Sequence, residues 1–324
     1  MLRTSRLHAA LTGAAASDPP SRFGAAGLAA RRVALRAGRP LSVPAERRDV
    51  LLADAVAEVA REARIGALAA RPLLQDAVVE VDTDIGPILL HSGDEVMTPL
   101  IRAQGDWEAE EAAWLRRVVR PGSAVLDVGA NVGYFTVLMA QLAGRGGAVV
   151  AVEPEARNLS VLRANLWRHG LDDVAVLPIA AWSGRALLPL VLNEENRGDH
   201  QVRPDVSGAA QLVPAAALDE LLGEHTTLDV IKVDTQGVDH EALAGLRDVL
   251  RRSPDPQVLV EFWLDGMDDR GIDARGVLAS YRDLGLDAAL LGDDGSATAA
   301  TDDEVLAATG AAPGRFVNLV LRKR

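Results

Sequence analysis

The sequence predicts a doubly wound, mostly parallel α/β sheet with an antiparallel last strand, preceded by a helical and hairpin N-terminal extension. Three observations carry this. Strand-like and helix-like segments alternate regularly from residue 124 onward. Runs such as "AVVAV" and "LDVIKV" read as apolar on both faces, as strands buried in a parallel sheet must be. The stretch "VLDVGANVGYFTVLMA" changes period in its middle. A short apolar run ends in Asp127, passes Gly129 and Gly133, and continues with Val132, Phe135, Leu138, Met139 and Leu142 at helical spacing.

Taken in order, residues 1–45 are rich in Arg, Ala and Pro and are expected to form a poorly ordered extension. They lack the apolar core of a secretory signal, so export is not expected. Pro44 opens a helical pattern through Val50, Leu51, Val56 and Val59. "VVEVDTDIGPILLH" reads as a hairpin, and a helix carrying Trp107, Trp114, Leu115 and Val118 follows. Residues 46–120 thus form a cap, and 121–324 the main domain. Within the latter, strands are expected at 124–128, 148–152, 174–177, 228–233, 257–262, 286–291 and near 316–322. Helices are expected at 132–143, 155–169, 238–251 and 274–284, with an irregular stretch from 178 to 225. Regular βα alternation with buried strands implies helices on both faces.

The 324 residues carry a formal net charge of −12, which argues against a polyanionic partner such as DNA or RNA. Residues 1–48 are the exception, with nine Arg against Asp18 and Glu46. There is no Cys, hence no disulfide, no thiolate nucleophile and no Cys-based metal site, and a reducing cytoplasm is the expected setting. No apolar run is long enough to span a membrane. A homo-oligomer formed through the N-terminal segment is left open.

In such a sheet ligands bind beyond the carboxyl ends of the strands. After the first strand come Asp127 and "GANVG", where Gly129 and Gly133 permit close backbone approach. After the second comes Glu153, 24 residues past Gly129, the spacing at which an acid meets ribose hydroxyls. A dinucleotide dehydrogenase would show a second glycine where Asn131 stands, and Asp127 would repel a pyrophosphate. A sulfonium nucleoside is positively charged and phosphate-free, and suits these acids better. A purely structural turn is the third alternative. Asp234 closes a further apolar strand, where an acid is costly unless used.

"LDVGANVGYFT", "AVEPEARNLSVLRANL", "ALDELL", "LDVIKVDTQGVDHEALAGL" and "VLVEFW", in that order, resemble the FkbM-type methyltransferases, over roughly 95–322. The resemblance implies a Rossmann-like class I fold and S-adenosylmethionine as methyl donor, leaving S-adenosylhomocysteine. It places Asp127, Gly129, Asn131, Gly133 and Tyr134 in the cofactor loop and Glu153 with Pro154 at the ribose. Ala181 and Trp182 of "IAAWSG" would flank the adenine, and Asp234 lies at the strand-four motif. That motif reads D-x-E-G-x-E in the family, whereas Gln236 and Asp239 stand here at its two Glu places.

A hydroxyl acceptor must lose a proton, and the candidate bases are Asp234, His200 in the polar loop "LNEENRGDHQV", and His240. Asp234 and Glu261, at neighbouring strand ends, are too few to favour Mg²⁺. The expected activity is O-methylation of a hydroxyl on a small natural product or sugar. The alternatives are N-methylation of an amide or amine and a non-catalytic nucleotide-binding scaffold.

Overall fold

A computed structural model describes residues 78–206 and 210–324, all within one compact unit, Asp49–Arg324. The expectations for residues 1–45 and for the helix after Pro44 lie outside the described residues. Strands β1 (Val78–Thr83) and β2 (Gly86–His91) pair as an antiparallel hairpin, with Thr83 opposite Gly86 and a two-residue turn between them. Gly86 takes φ +99°, a left-handed value that suits glycine at this turn. Helices α1 (Met97–Gln104) and α2 (Ala109–Val118) follow.

β3 (Ala124–Val128), α3 (Tyr134–Ala143), β4 (Ala148–Val152), α4 (Ala156–Arg168) and β5 (Ala175–Leu177) start the main sheet. Next come the short β6 (Ala180–Ala181), β7 (Ala186–Val191), β8 (Gln201–Val202) and β9 (Gln211–Ala216), then α5 (Leu218–Leu221). The chain returns to the sheet with β10 (Val230–Val233), α6 (Asp239–Ala244), α7 (Arg247–Arg252) and β11 (Gln257–Trp263). It closes with α8 (Leu264–Asp268), α9 (Ala274–Asp283), β12 (Leu286–Leu291), β13 (Ala297–Ala299), α10 (Asp302–Ala311) and β14 (Phe316–Lys323).

The main sheet has the order β13-β12-β14-β11-β10-β3-β4-β5. β11, β10, β3, β4 and β5 run parallel, while β14 inserts antiparallel between β11 and β12. Successive strand residues face opposite layers, as the period of two requires. Val125, Ala151, Val230 and Leu259 enter one core with helices α3 and α4, and Leu126, Val150, Ile231 and Val258 enter the other with α6, α7 and α9. The chain runs from β3 to β4 on one side and later returns to β10 on the other. The crevice above the β3–β10 junction is therefore the topological switch point.

Several elements differ from the sequence expectation. The stretch 178–225 is not irregular: it carries a second sheet, β6-β9-β7-β8. Pro189 and Pro214 sit inside β7 and β9, and proline weakens a strand signal. The helix expected over 238–251 is two, broken around Gly245. A side chain at Gly245 would meet the Trp182 carbonyl at 2.0 Å, so the backbone packs there directly. β13 and α10 were also not expected; α10 starts at a capping box of Thr301 and Glu304. Among the described residues no helix is long and apolar enough to cross a membrane.

Candidate active site

The glycine turn after β3 is fixed by backbone geometry. The N–H groups of Gly129 and Ala130 both donate to the Val152 carbonyl at the end of β4, at 2.9 and 3.0 Å. Gly129 has φ +82°, and a Cβ there would lie 1.8 Å from the Asp234 carbonyl oxygen. The first and fourth strands of the switch point approach each other so closely that only glycine fits. Gly133, at φ +91°, faces Leu162 of α4, which a Cβ would meet at 2.4 Å. Asn131 is left-handed as well (φ 49°), a conformation Asn tolerates better than most residues.

A cavity of about 220 Å³ opens above these strand ends. Asp127, Gly129, Asn131, Tyr134, Glu153, Pro154, Ala181, His200 and Asp234 line it, together with Glu108, Arg197, Lys232 and Glu261. Gly133 shapes the turn behind it. Glu153, 5% exposed, accepts the Asn131 N–H at 2.9 Å on one oxygen and the Glu155 N–H at 2.8 Å on the other. Burial raises its pKa to about 8 against the pull of these two amides. Each oxygen keeps a second lone pair for a ligand diol. Asp127 lies deeper: one oxygen accepts the Thr136 hydroxyl at 2.5 Å and the other is buried with no hydrogen bond. Burial raises its pKa also. The Tyr134 ring borders the cavity, but its hydroxyl donates to Asp84 in the hairpin turn at 2.5 Å.

Two of the expected residues are placed elsewhere. Trp182 packs against the small core of the second sheet, beside Ala180 and Leu190, and does not line the cavity. Ile179, Ala180 and Ala181 form that wall instead. His240, in the first turn of α6, is half-buried and also lies off the cavity. His200 does reach it, but its Nδ1 accepts the Asn193 N–H at 3.0 Å. Burial lowers its pKa, so the ring is neutral and Nε2 carries the proton. His200 is therefore placed as a donor to the cavity and not as the base that the sequence suggests.

The loop bearing His200 is clamped over the glycine turn. The Arg197 carbonyl accepts from the side-chain amides of Asn131 and Asn158, both at 3.3 Å, and its N–H donates to Asp94 at 2.7 Å. On the far side, Gln236 is also left-handed, at φ 55°. Asp239 holds this loop by accepting the N–H groups of Thr235 and Gly237 at 3.2 and 3.3 Å. Burial, and then Asp234, raise its pKa to about 7. The Gln236 amide donates to Asp234 at 2.6 Å. A glutamate at that place would instead set two carboxylates together.

Lys232 is the largest feature the sequence reading passed over. The β10 run is not apolar throughout: Lys232, 2% exposed, lies opposite Asp127 in the β10–β3 register and shares its face. Its ammonium meets Asp234 at 3.1 Å and Glu111 of α2 at 3.4 Å, and lies 4.6 Å from the centre of the Phe135 ring. Burial would lower its pKa, but Asp234, Glu111, Glu108 and Asp127 hold it well above the ordinary lysine value. A lysine spaced by one residue from the strand-ending Asp234 was the available signal. Glu108 and Glu111, far away in sequence, gave none.

Among the described residues no cluster of His, Asp and Glu is arranged to hold a metal ion. The cavity does fit a phosphate-free nucleoside of positive charge. Its turn is cut close, Glu153 has free lone pairs, and buried oxygens of Asp127 and Asn131 lack partners.

Residues 127–278 match the methyltransferase FkbM domain. No curated protein matches the chain. Among solved structures it is similar to the methyltransferase FkbM from Methylobacillus flagellatus, at 17% identity over 65% of this chain and 50% of that one, with a TM-score of 0.39. A SAM-dependent methyltransferase from Aquifex aeolicus matches at 16% identity over 70% and 98% of the two chains, TM-score 0.37. Precorrin-6y C5,15-methyltransferase from Geobacter metallireducens matches at 14% identity over 67% and 87%, TM-score 0.37. The chain spans half the length of the Methylobacillus protein it matches.

Proposed function

We propose, from the premise that residues 127–278 are an FkbM methyltransferase domain, that the chain transfers a methyl group from S-adenosylmethionine to a hydroxyl of a small natural product or sugar. The observation that carries the choice of donor is the pair of buried acids, Asp127 beneath the glycine turn and Glu153 at the next strand end. Both disfavour a phosphate there and favour a positively charged nucleoside. When bound, the donor supplies an electrophilic methyl on a sulfonium.

The chain's residues hold and orient it. Gly129 and Asn131 admit it close to the backbone, Glu153 accepts from the ribose, and Ile179, Ala180 and Ala181 give the base an apolar wall. The clamped loop around Arg197 and His200 screens the site from water. Holding two reactants in line can supply roughly 7–11 kcal/mol of the barrier. The acidic lining of the acceptor side fits a neutral acceptor rich in hydrogen-bond donors, which a polyol or sugar hydroxyl provides.

The test is calorimetric titration of the full chain with S-adenosylhomocysteine and with NAD⁺, beside Glu153→Ala. Binding of S-adenosylhomocysteine alone, weakened by the substitution, supports the reading. Binding of NAD⁺ in its place would overturn it.

A further inference from the structure

The cavity changes character along the sheet. Over β5 and β4 lie Ala181 and Glu153, over β3 the glycine turn, and over β10 and β11 Asp234 and Glu261. If the nucleoside sits over β5 and β4, the reacting end lies over β10 and β11. Glu108 belongs to that end: the charged groups that act on it are Glu111 of the following helix α2, Lys232 and Asp234 of β10 and its loop, and Glu261 of β11. It stands between α1 and α2, outside the residues that match the family.

Three other acids lining this cavity are engaged. Asp127 accepts from Thr136, Glu153 from two amides, and Asp234 from Lys232 and Gln236. The Lys232 ammonium contacts Glu111 and Asp234. Glu108 Oε2, like the second oxygen of Asp127, is buried without a hydrogen bond among the described residues. Its backbone is left-handed (φ 46°, ψ 67°), a conformation that a long side chain keeps only when its surroundings enforce it.

Resting on the reading above, we infer that Glu108 is the catalytic residue that takes the acceptor's proton, acting as a counterweight to the charge of the sulfonium. Burial, reinforced by Glu111, Asp234 and Glu261 and opposed by Lys232, keeps its carboxyl protonated well above the ordinary range. Entry of a sulfonium favours the ionised form, and the proton leaves to solvent. In the transfer the acceptor's O–H proton passes to Glu108 while the O–CH₃ bond forms and the S–CH₃ bond breaks. A sulfonium and a carboxylate become a neutral thioether and a neutral carboxyl, so the net charge of the buried site does not change.

The test compares S-adenosylmethionine with S-adenosylhomocysteine, which differ by the sulfonium methyl, by calorimetry of the full chain in phosphate and in Tris near neutral pH. The expected result is about one more proton released with the sulfonium ligand, and an affinity ratio that rises by up to about tenfold per pH unit. Glu108→Gln should abolish both differences and leave S-adenosylhomocysteine affinity within about twofold. Glu108→Asp, which keeps a titrating group, should retain them, and it replaces the Gln variant should that one fail to bind S-adenosylhomocysteine. A difference absent from the parent chain, surviving in Glu108→Gln, or removed by Glu261→Gln instead would overturn the assignment. Binding of neither ligand to the parent chain would overturn the methyltransferase site itself, a distinct outcome.

Discussion

The two halves of the cavity are built by different means. Over β3 and β4 the geometry is carried by the backbone: two amides reach the Val152 carbonyl, Gly129 lies against Asp234, and Glu153 is held by two N–H groups. Over β10 and β11 it is carried by charge, with Lys232 among Glu108, Glu111, Asp127 and Asp234, on side chains from three separate parts of the chain. A backbone site is stiff and uses residues close in sequence. A charge cluster depends on every member, because removing one leaves its partners buried and unpaired.

The largest effect is expected where that dependence is greatest. Lys232→Met removes the counter-charge of Asp234 and Glu111, and should cost about 3–5 kcal/mol of stability in urea unfolding. Adding Glu111→Gln to it should recover part of the loss, which independent sites would not do. On the backbone side, Gly129→Ala forces both a left-handed alanine and a clash with the Asp234 carbonyl, and should cost about 3 kcal/mol or more in the same assay. No second substitution on a side chain is expected to rescue it.

Glu153→Ala should act on binding as well as on folding, since the Asn131 and Glu155 N–H groups lose their acceptor. Its loss leaves the ligand hydroxyls and two buried N–H groups without an acceptor, each worth about 1–3 kcal/mol, so S-adenosylhomocysteine affinity should fall roughly 10- to 150-fold. Per group and per pH unit, the effect of pH is the smallest. Glu111, Glu153 and Asp239 have folded-state pKa values raised to about 7, 8 and 7. Each binds its proton more tightly folded than unfolded, so its contribution is full below the ordinary carboxylate range and is lost as pH rises towards 7–8. The urea midpoint of the ligand-free chain should therefore fall between about pH 5 and pH 8, at up to about 1.4 kcal/mol per pH unit for each group. Glu153→Gln should flatten that slope, and an unchanged slope would mean that Glu153 is already ionised in the folded protein.

The same contrast governs what the sequence disclosed. The strands at 124–128 and 148–152 are read to the residue, since a buried parallel strand between glycine turns leaves a local pattern, and the antiparallel strand 286–291 is read as well. Gly129, Asn131 and Glu153 are legible for the same reason: the turn that needs them is local. The second sheet was hidden by Pro189 and Pro214, and the break between α6 and α7 by a contact of Gly245 with Trp182, 63 residues earlier. Glu108 and Glu111 reach the site only through tertiary packing, Glu111 by its ion pair with Lys232 of β10, which no periodicity announces. The role expected of His200 changed through one hydrogen bond, from Asn193, that fixes which nitrogen carries the proton.

The most direct measurement is one calorimetric series with S-adenosylhomocysteine on the parent chain, Glu153→Ala and Glu108→Gln. The account predicts micromolar binding to the parent chain and to Glu108→Gln, and at least tenfold weaker binding to Glu153→Ala. Equal loss in both variants would contradict the division of the cavity into a nucleoside half and an acceptor half, and no binding to the parent chain would contradict the site as a whole.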